Sequence, residues 1–523
     1  MLVTEILARN ARMYPEEIAL IERSPNMGRR KEITWREFDQ QADRLAGYLA
    51  AKGLVKGDRV LILLENGIEW LPLYFGILRA GCLVVPVDYS YGDSELGHCL
   101  SLSGAAALCY GSRFRALVAR LREGDGRNLR ALIEIGGDSG LPPYAADGAT
   151  ILADASAVAP AVPLSLLDEA ALYCTSGTTG KPKAALLTHR NLEAACYLEN
   201  SHHRQVHADN FLCLPPLFHA GAVMHWFGGF IVGAKAVILN SFAVDRIFEA
   251  ISEEGVTIVW FVVPLAKEIL CQIESGRIDL AAYSLGQWRL MHIGAQPVSP
   301  SLINEWRSIF PGHLYNTTYG LTETTGPGCI QLGVNNFHKV GAIGRPGFDW
   351  EVRIVDAALA DVPQGKAGRL MVKGPGVMKA YYQDSEATEK HLRDGWFLTG
   401  DIAVRDEDGF IWYVDREDDV IHVGGQDIFP VEVENFLLLH KRIQDAAVFG
   451  LPCGESQRVA ALIQAKPGHA LNEGHLEDFC QAMPAHKRPS VFFFGDVPRG
   501  LTGKIRKFYL KTLYGPRVAK DAS

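Results

Sequence analysis

Through its first 320 residues the chain alternates short apolar runs with segments of helical spacing, and no other feature restricts its fold as much. RVLILL from Arg59 is a short apolar run, GIEWLPLYFGILRAG from Gly67 repeats its apolar residues at helical intervals, and CLVVPVD from Cys82 is a second run ended by acidic and proline punctuation. Together they predict a β-α-β unit. The same rhythm returns in VTIVWFVV before PLAKEIL, and in LMHIGA from Leu290 before SLINEWRSIF. Parallel strands need crossover helices, so the expected class is α/β with largely parallel sheets.

From about Val340 the texture changes to short strands with Gly and Pro turns, as in VGAIGRPG, WEVRIVD and GRLMVKGPG. IAVRDEDGFIWYVD holds two alternating runs around Asp408-Gly409, a hairpin signal. Charges and a Gly-Gly pair then break the periodicity. The expected organisation is a large N-terminal domain over 1–414, with a β-rich subdomain at about 340–414, a hinge linker at 415–419 and a small mobile α+β C-terminal domain over 420–523. The last segment, IRKFYLKTL, is expected to be a helix with Ile505, Phe508, Tyr509 and Leu513 on its apolar face.

Composition serves mainly to exclude. A net charge of -8 without a long basic run gives no electrostatic footprint for nucleic acid or anionic lipid. The ten cysteines are scattered singly, which predicts reduced thiols in a cytoplasmic setting and no zinc site. The N-terminal MLVTEILARNARMYPEEIAL carries charges inside its apolar pattern and is expected to be an amphipathic helix rather than a leader. TIVWFVVPLA from Thr257 is about half the length that a membrane span needs, and is expected to be a buried strand.

The stretch TSGTTGKPK, Thr175 to Lys183, raises the question of a phosphate cradle. It is not a Walker loop. Gly177 lies three residues before Gly180 rather than five, and Pro182 stands where a hydroxyl would reach Mg²⁺. What remains is a glycine-permitted loop whose backbone N–H groups and hydroxyls can wrap a polyphosphate, with Lys181 and Lys183 as point charges. Four further stretches follow it: YGLTETTG from Tyr319, WFLTGD ending at Asp401, VDREDDVIHVGGQDIFP from Val414, and PRGLTGKIRKF around Lys504.

In this order the five motifs resemble those of the adenylate-forming superfamily, which includes acyl- and aryl-CoA synthetases, peptide-synthetase adenylation domains and firefly luciferase. The resemblance implies a phosphate loop of Thr175, Ser176, Gly177, Thr178, Thr179, Gly180, Lys181 and Lys183. It implies that Thr322 touches the α-phosphate, that Glu323 holds Mg²⁺, and that Asp401 binds the ribose hydroxyls. Arg416 would contact ribose or phosphate, Asp418 would be the hinge, and Gly424 and Gly425 would border the tunnel of the thiol acceptor. Gly294, Ala295, Gln296, Thr318, Tyr319 and Gly320 would lie near the adenine and the carboxylate. Lys504 would be the catalytic lysine, stabilising charge as carboxylate and α-phosphate meet. Ala184, Asp415, Gln426-Asp427 and Lys507 depart from the family pattern without removing a catalytic group.

By the same resemblance the acyl site is lined by PPLFHAGAVMHWFGG and the strand ending WFVVP, with His219, Trp226, Trp260, Phe261 and Val263 as candidates. His219 would act as a gate rather than in proton transfer. Amino-acid-activating relatives have Phe-Asp where this chain has Phe218-His219, so a carboxylic acid without an α-amino group is expected. The expected function is an ATP-dependent acid:CoA ligase using ATP, Mg²⁺ and coenzyme A, with the acceptor supplied in trans. A separate carrier protein is the alternative acceptor, and a non-catalytic nucleotide-binding protein the alternative class. The sequence favours neither monomer nor dimer.

Overall fold

The computed structural model describes residues 1–24, 28–137, 140–175, 183–294, 296–453, 456–500 and 504–521. Two large sheets form the body. The first runs from the edge pair Arg345–Pro346 and Gly326–Leu332 through Leu314–Leu321, Leu290–Gly294, Ile258–Val262, Asn210–Cys213, Lys235–Leu239 and Ile18–Ser24 to Arg29–Thr34. Its interior pairings are parallel and its edge pairings antiparallel. The second is ordered Ala380–Tyr381, Lys183–Thr188, Glu169–Thr175, Leu83–Pro86, Arg59–Leu63, Ala107–Gly111, Ala131–Ile135 and Ala146–Asp147.

The alternating rhythm of the sequence is realised here. The strands Arg59–Leu63 and Leu83–Pro86 flank the helix Trp70–Arg79, and the strands Ile258–Val262 and Leu290–Gly294 flank the helix Val263–Glu274. Helices Trp35–Ala51, Trp70–Arg79, His189–His203 and Ala220–Phe230 belong to one apolar core that also takes in residues of both sheets. In such sheets ligands sit beyond the carboxyl ends of the strands. Thr175, Val262, Gly294 and Leu321 all end strands, so the motif residues gather at one rim.

A smaller antiparallel sheet follows, built from Glu351–Val355, Gly368–Lys373, Trp396–Arg405 and Leu392–Arg393, with Ile411–Arg416 added against Trp396–Arg405. The turn at Asp408-Gly409 places Gly409 at φ +81°, a conformation that suits a residue without Cβ. The strand runs through Asp415 to Arg416, and the chain leaves it in the short 3₁₀ turn Glu417–Asp419.

Beyond that turn, the strands Ile443–Cys453, Ser456–Ala465 and Val491–Phe494 form a sheet flanked by the helices Pro430–Leu437, Glu473–Cys480 and Lys507–Asp521. The final helix corrects one expectation. Phe508, Tyr509 and Leu513 are exposed, while Leu510 and Lys507 are buried and Tyr514 stacks on Phe493. The neighbouring sheet fixes which stripe turns inward. Lys507 can sit there because Glu434 pairs with it at 3.0 Å.

Candidate active site

A single long cleft lies between the large domain and the small one, and four separate parts of the sequence meet in it. Thr318, Tyr319, Gly320, Thr322 and Glu323 line it from the rim of the first sheet, Thr175 and Lys183 from the second. Asp401 and Arg416 come from the antiparallel hairpin, and Lys504 from the small domain. The pairing of Asp401 opposite Arg416 in neighbouring strands explains why these two groups arrive together.

Asp401 is 2% exposed. Tyr319 donates its hydroxyl hydrogen to Asp401 Oδ2. Arg416 Nε stands 3.2 Å from Oδ1 as an ion pair but without hydrogen-bond alignment, and Oδ1 keeps no hydrogen-bond partner. Burial raises the Asp401 carboxyl above its ordinary value, and the Arg416 cation pulls it back. A buried carboxylate oxygen without a hydrogen bond, beside a cation, suits a hydroxyl donor, as a ribose would supply.

Glu323 accepts a hydrogen bond of 2.8 Å from the Tyr381 hydroxyl. Lys183 lies over the same tyrosine ring, 5.1 Å from its centroid. Tyr381 thus ties the end of the phosphate-loop motif to the acidic residue. Lys504 faces the water of the cleft but is ringed by protein. That surrounding and the Arg416 guanidinium lower its pKa, while Asp401 and Glu323 pull the other way. The site therefore sets Lys504 and Arg416 against Asp401 and Glu323 around a space for a charged ligand.

His219 caps the helix Ala220–Phe230, its Nδ1 accepting from the Gly221 N–H at 3.2 Å. Burial, with a smaller contribution from the Lys504 ammonium, pulls its pKa to about 3, so it is a neutral imidazole at physiological pH. A neutral side chain at a helix cap, facing the cleft, suits a gate better than a proton carrier. Trp260 and Val263 line the cleft with it.

Two acyl-pocket expectations are overturned. Trp226 is fully buried and does not reach the cleft, packing instead against Phe38, Phe75 and Phe230. Phe261 follows Trp260 in a strand, so the period of two sends it to the opposite face, against Trp288 and Trp306. Both are core residues.

Other expected groups are placed as follows. Gln296 lines the cleft and accepts a 3.2 Å hydrogen bond from Arg499 of the small domain. Gly294 ends its strand beside Trp260 and His292, whose nitrogens lie 3.3 and 3.4 Å from where a Cβ would stand. Asp418 lies exposed in the 3₁₀ turn and lines the cleft. Gly424 and Gly425, at φ +56° and +79°, turn an exposed hairpin that does not border the cleft. Ser176, Gly177, Thr178, Thr179, Gly180, Lys181 and Ala295 lie outside the described residues.

Sequence reasoning passed over Tyr381 and the pair Glu199–His225. The doublet Tyr381-Tyr382 carried no recognisable spacing, and Glu199 and His225 meet at 2.7 Å only because two helices pack.

The AMP-binding enzyme family model matches residues 7–382. A feruloyl-CoA synthase of Amycolatopsis is 32% identical over 97% of this chain and 98% of its own. A long-chain-fatty-acid–CoA ligase of Salmonella typhimurium is 31% identical over 97% and 94%. Among solved structures, an anthranilate CoA ligase in complex with anthranoyl-AMP shares the fold at a TM-score of 0.89 with 24% identity, covering 99% of this chain and 98% of that one. The chain belongs to the AMP-binding enzymes, the adenylate-forming superfamily that its motifs resemble. Within it, the chain is an AMP-forming acyl-CoA synthetase, an enzyme of the acyl- and aryl-CoA ligase group.

Proposed function

We propose that this enzyme joins a carboxylic acid lacking an α-amino group to coenzyme A in two steps. The carboxylate attacks the α-phosphorus of ATP, forming acyl-AMP and releasing pyrophosphate. The thiol then attacks the acyl carbonyl, forming the thioester and releasing AMP. The observation that carries this reading is the convergence of Lys504, Arg416, Asp401 and Glu323 on one cleft.

Asp401 would hold the ribose, as its buried oxygen without a hydrogen bond suggests, and Arg416 would sit beside it on ribose or phosphate. Lys504 would bridge the carboxylate and α-phosphate oxygens as negative charge gathers there, a positioned cation being most effective where charge develops. Glu323 and Thr322 face the space for the phosphates. Mg²⁺ on the triphosphate oxygens would take the Glu323 carboxylate, in keeping with the preference of a hard cation for oxygen, and would offset phosphate charge. His219 would screen the acyl side.

The exposed turn at Gly424-Gly425 lies outside the cleft that Lys504 enters, which supports a rotation of the small domain about Asp418 between the two steps. In that reading Lys504 serves the first step only. With Lys504→Ala, ATP–pyrophosphate exchange across a panel of aliphatic and aryl acids is expected to fall at least about 100-fold, within the range of electrostatic groups of this kind. Thiol attack on supplied acyl-adenylate is expected to change far less. Equal loss of both steps in folded protein would defeat the two-conformation reading. Mass analysis of products formed with coenzyme A separates the free thiol from a carrier protein as acceptor.

A further inference from the structure

Near His219 the cleft wall includes His225, which is backed by a group of buried polar side chains that an apolar acyl chain would not need. His225, on the helix Ala220–Phe230, lines the cleft together with Trp260. Their rings lie 4.5 Å apart, and His292 lies 4.4 Å from His225. Glu199, wholly buried on the helix His189–His203, holds His225 Nδ1 at 2.7 Å through Oε2. His292 is spoken for by Asn316 through Nδ1, and Thr318 Oγ1 lies 3.4 Å from its Nε2.

The proton pattern follows from burial. A lone carboxylate in so dry a place is costly, so the Glu199–His225 pair retains one shared proton and no net charge. Burial raises Glu199 well above the ordinary carboxyl range and pulls His225 to about 3. If Glu199 keeps the proton, its O–H donates to Nδ1 and the imidazole hydrogen sits on Nε2. If the proton moves across, the imidazolium carries hydrogen on both nitrogens. Either arrangement leaves an N–H at Nε2, the nitrogen that Glu199 does not engage. The Trp260 ring packs 4.5 Å from that imidazole, while its own Nε1–H is buried away from the cleft.

We propose that His225, held by Glu199 and flanked by the Trp260 ring, forms a hydrogen-bond donor subsite that selects carboxylic acids carrying an uncharged oxygen acceptor, such as an ether, carbonyl or phenolic oxygen, at the end remote from the carboxylate. The proposal rests on reading the cleft near His219 as the acyl site. A plain hydrocarbon end would bury the His225 donor unpaired, a loss that hydrogen-bonding sites use to reject isosteres. A second carboxylate is disfavoured, because the charged partner of His225 among the described residues is the Glu199 carboxyl.

The test compares near-isosteric pairs in which an ether oxygen or a carbonyl replaces a methylene. The full chain is assayed by ATP–pyrophosphate exchange with 4-methoxycinnamate against 4-ethylcinnamate, and with an ω-1 keto fatty acid against its unsubstituted parent. The expected result is a kcat/KM ratio of about tenfold or more for the oxygenated member of whichever pair is used. His225→Phe should bring that ratio near one, and Glu199→Leu should lower it with His225 intact. Because the readout is a ratio within one protein, partial loss of folded enzyme cancels. A wild-type ratio at or below one overturns the proposal without touching the ligase reading. So does a ratio that His225→Phe leaves unchanged, which would place the acyl end elsewhere. Silence of the wild type with all these acids and with the wider panel would overturn the ligase reading and the subsite together.

Discussion

At the residue scale, the lesson of the site is that identity and orientation are separate questions. Trp226 and Trp260 are both large, both near the acyl motif and both unpartnered at Nε1, yet only Trp260 borders the cleft. Trp226→Ala should therefore act on stability alone. Removing a buried tryptophan is expected to cost about 3 to 5 kcal/mol, read from urea unfolding, with the ranking of acids in pyrophosphate exchange unaltered. Altered ranking would return Trp226 to the acyl pocket. His219 and His225 make the same point electrostatically: burial holds both near a pKa of 3, so neither should supply a limb to the pH profile between 5 and 8.

At the element scale, the junction between the antiparallel hairpin and the small domain turns on Asp415, a residue that departs from the family's glycine. Its Oδ2 accepts from the Val431 N–H at 2.7 Å, pinning the strand Ile411–Arg416 to the helix Pro430–Leu437. Its Oδ1 accepts from the Arg416 N–H at 2.8 Å. Burial raises the Asp415 carboxyl to about 6, with Lys507 partly offsetting the effect. The folded chain then binds more protons here than the unfolded chain between about pH 4 and 6, so this group's contribution to stability falls as pH rises through that window and is constant above it. Asp415→Asn removes the titration while keeping an acceptor. Thermal melts from pH 4.5 to 7 should show the wild type losing stability relative to Asp415→Asn as pH rises. A constant difference would mean that Asp415 titrates normally.

At the scale of the whole molecule, the two domains meet where Arg499 reaches Gln296, with Asp445 holding the guanidinium from below at 2.7 Å. If rotation separates the two steps, a tether here should stop the second. In a chain whose exposed Cys271 and Cys453 are serine, Gln296→Cys and Arg499→Cys can be bridged by a reducible bis-thiosulfonate. Compared with the same protein reduced, the bridged form should keep pyrophosphate exchange and lose thioester formation at least about tenfold, with dithiothreitol restoring it. Undiminished thioester formation in the bridged state would show that alternation is unnecessary.

Much of this was legible in the chain. The parallel α/β class followed from apolar runs, because strand and helix periods are local properties of backbone geometry. Glu323, Asp401, Arg416 and Lys504, which share the cleft, stood out in the chain as members of contiguous motifs. What local pattern could not supply was facing and distance. The final helix buries Leu510 rather than Phe508 and Tyr509, and Phe261 faces away from the cleft, because each is decided by the layer packed against it. Tyr381 reaches Glu323 across 58 residues, and His225 reaches Glu199 across 26. The sequence by itself determined the fold class and the chemistry of adenylation. Only the tertiary structure decided which side chains share the cleft, since contacts between distant segments arise when whole elements pack and leave no mark on local spacing.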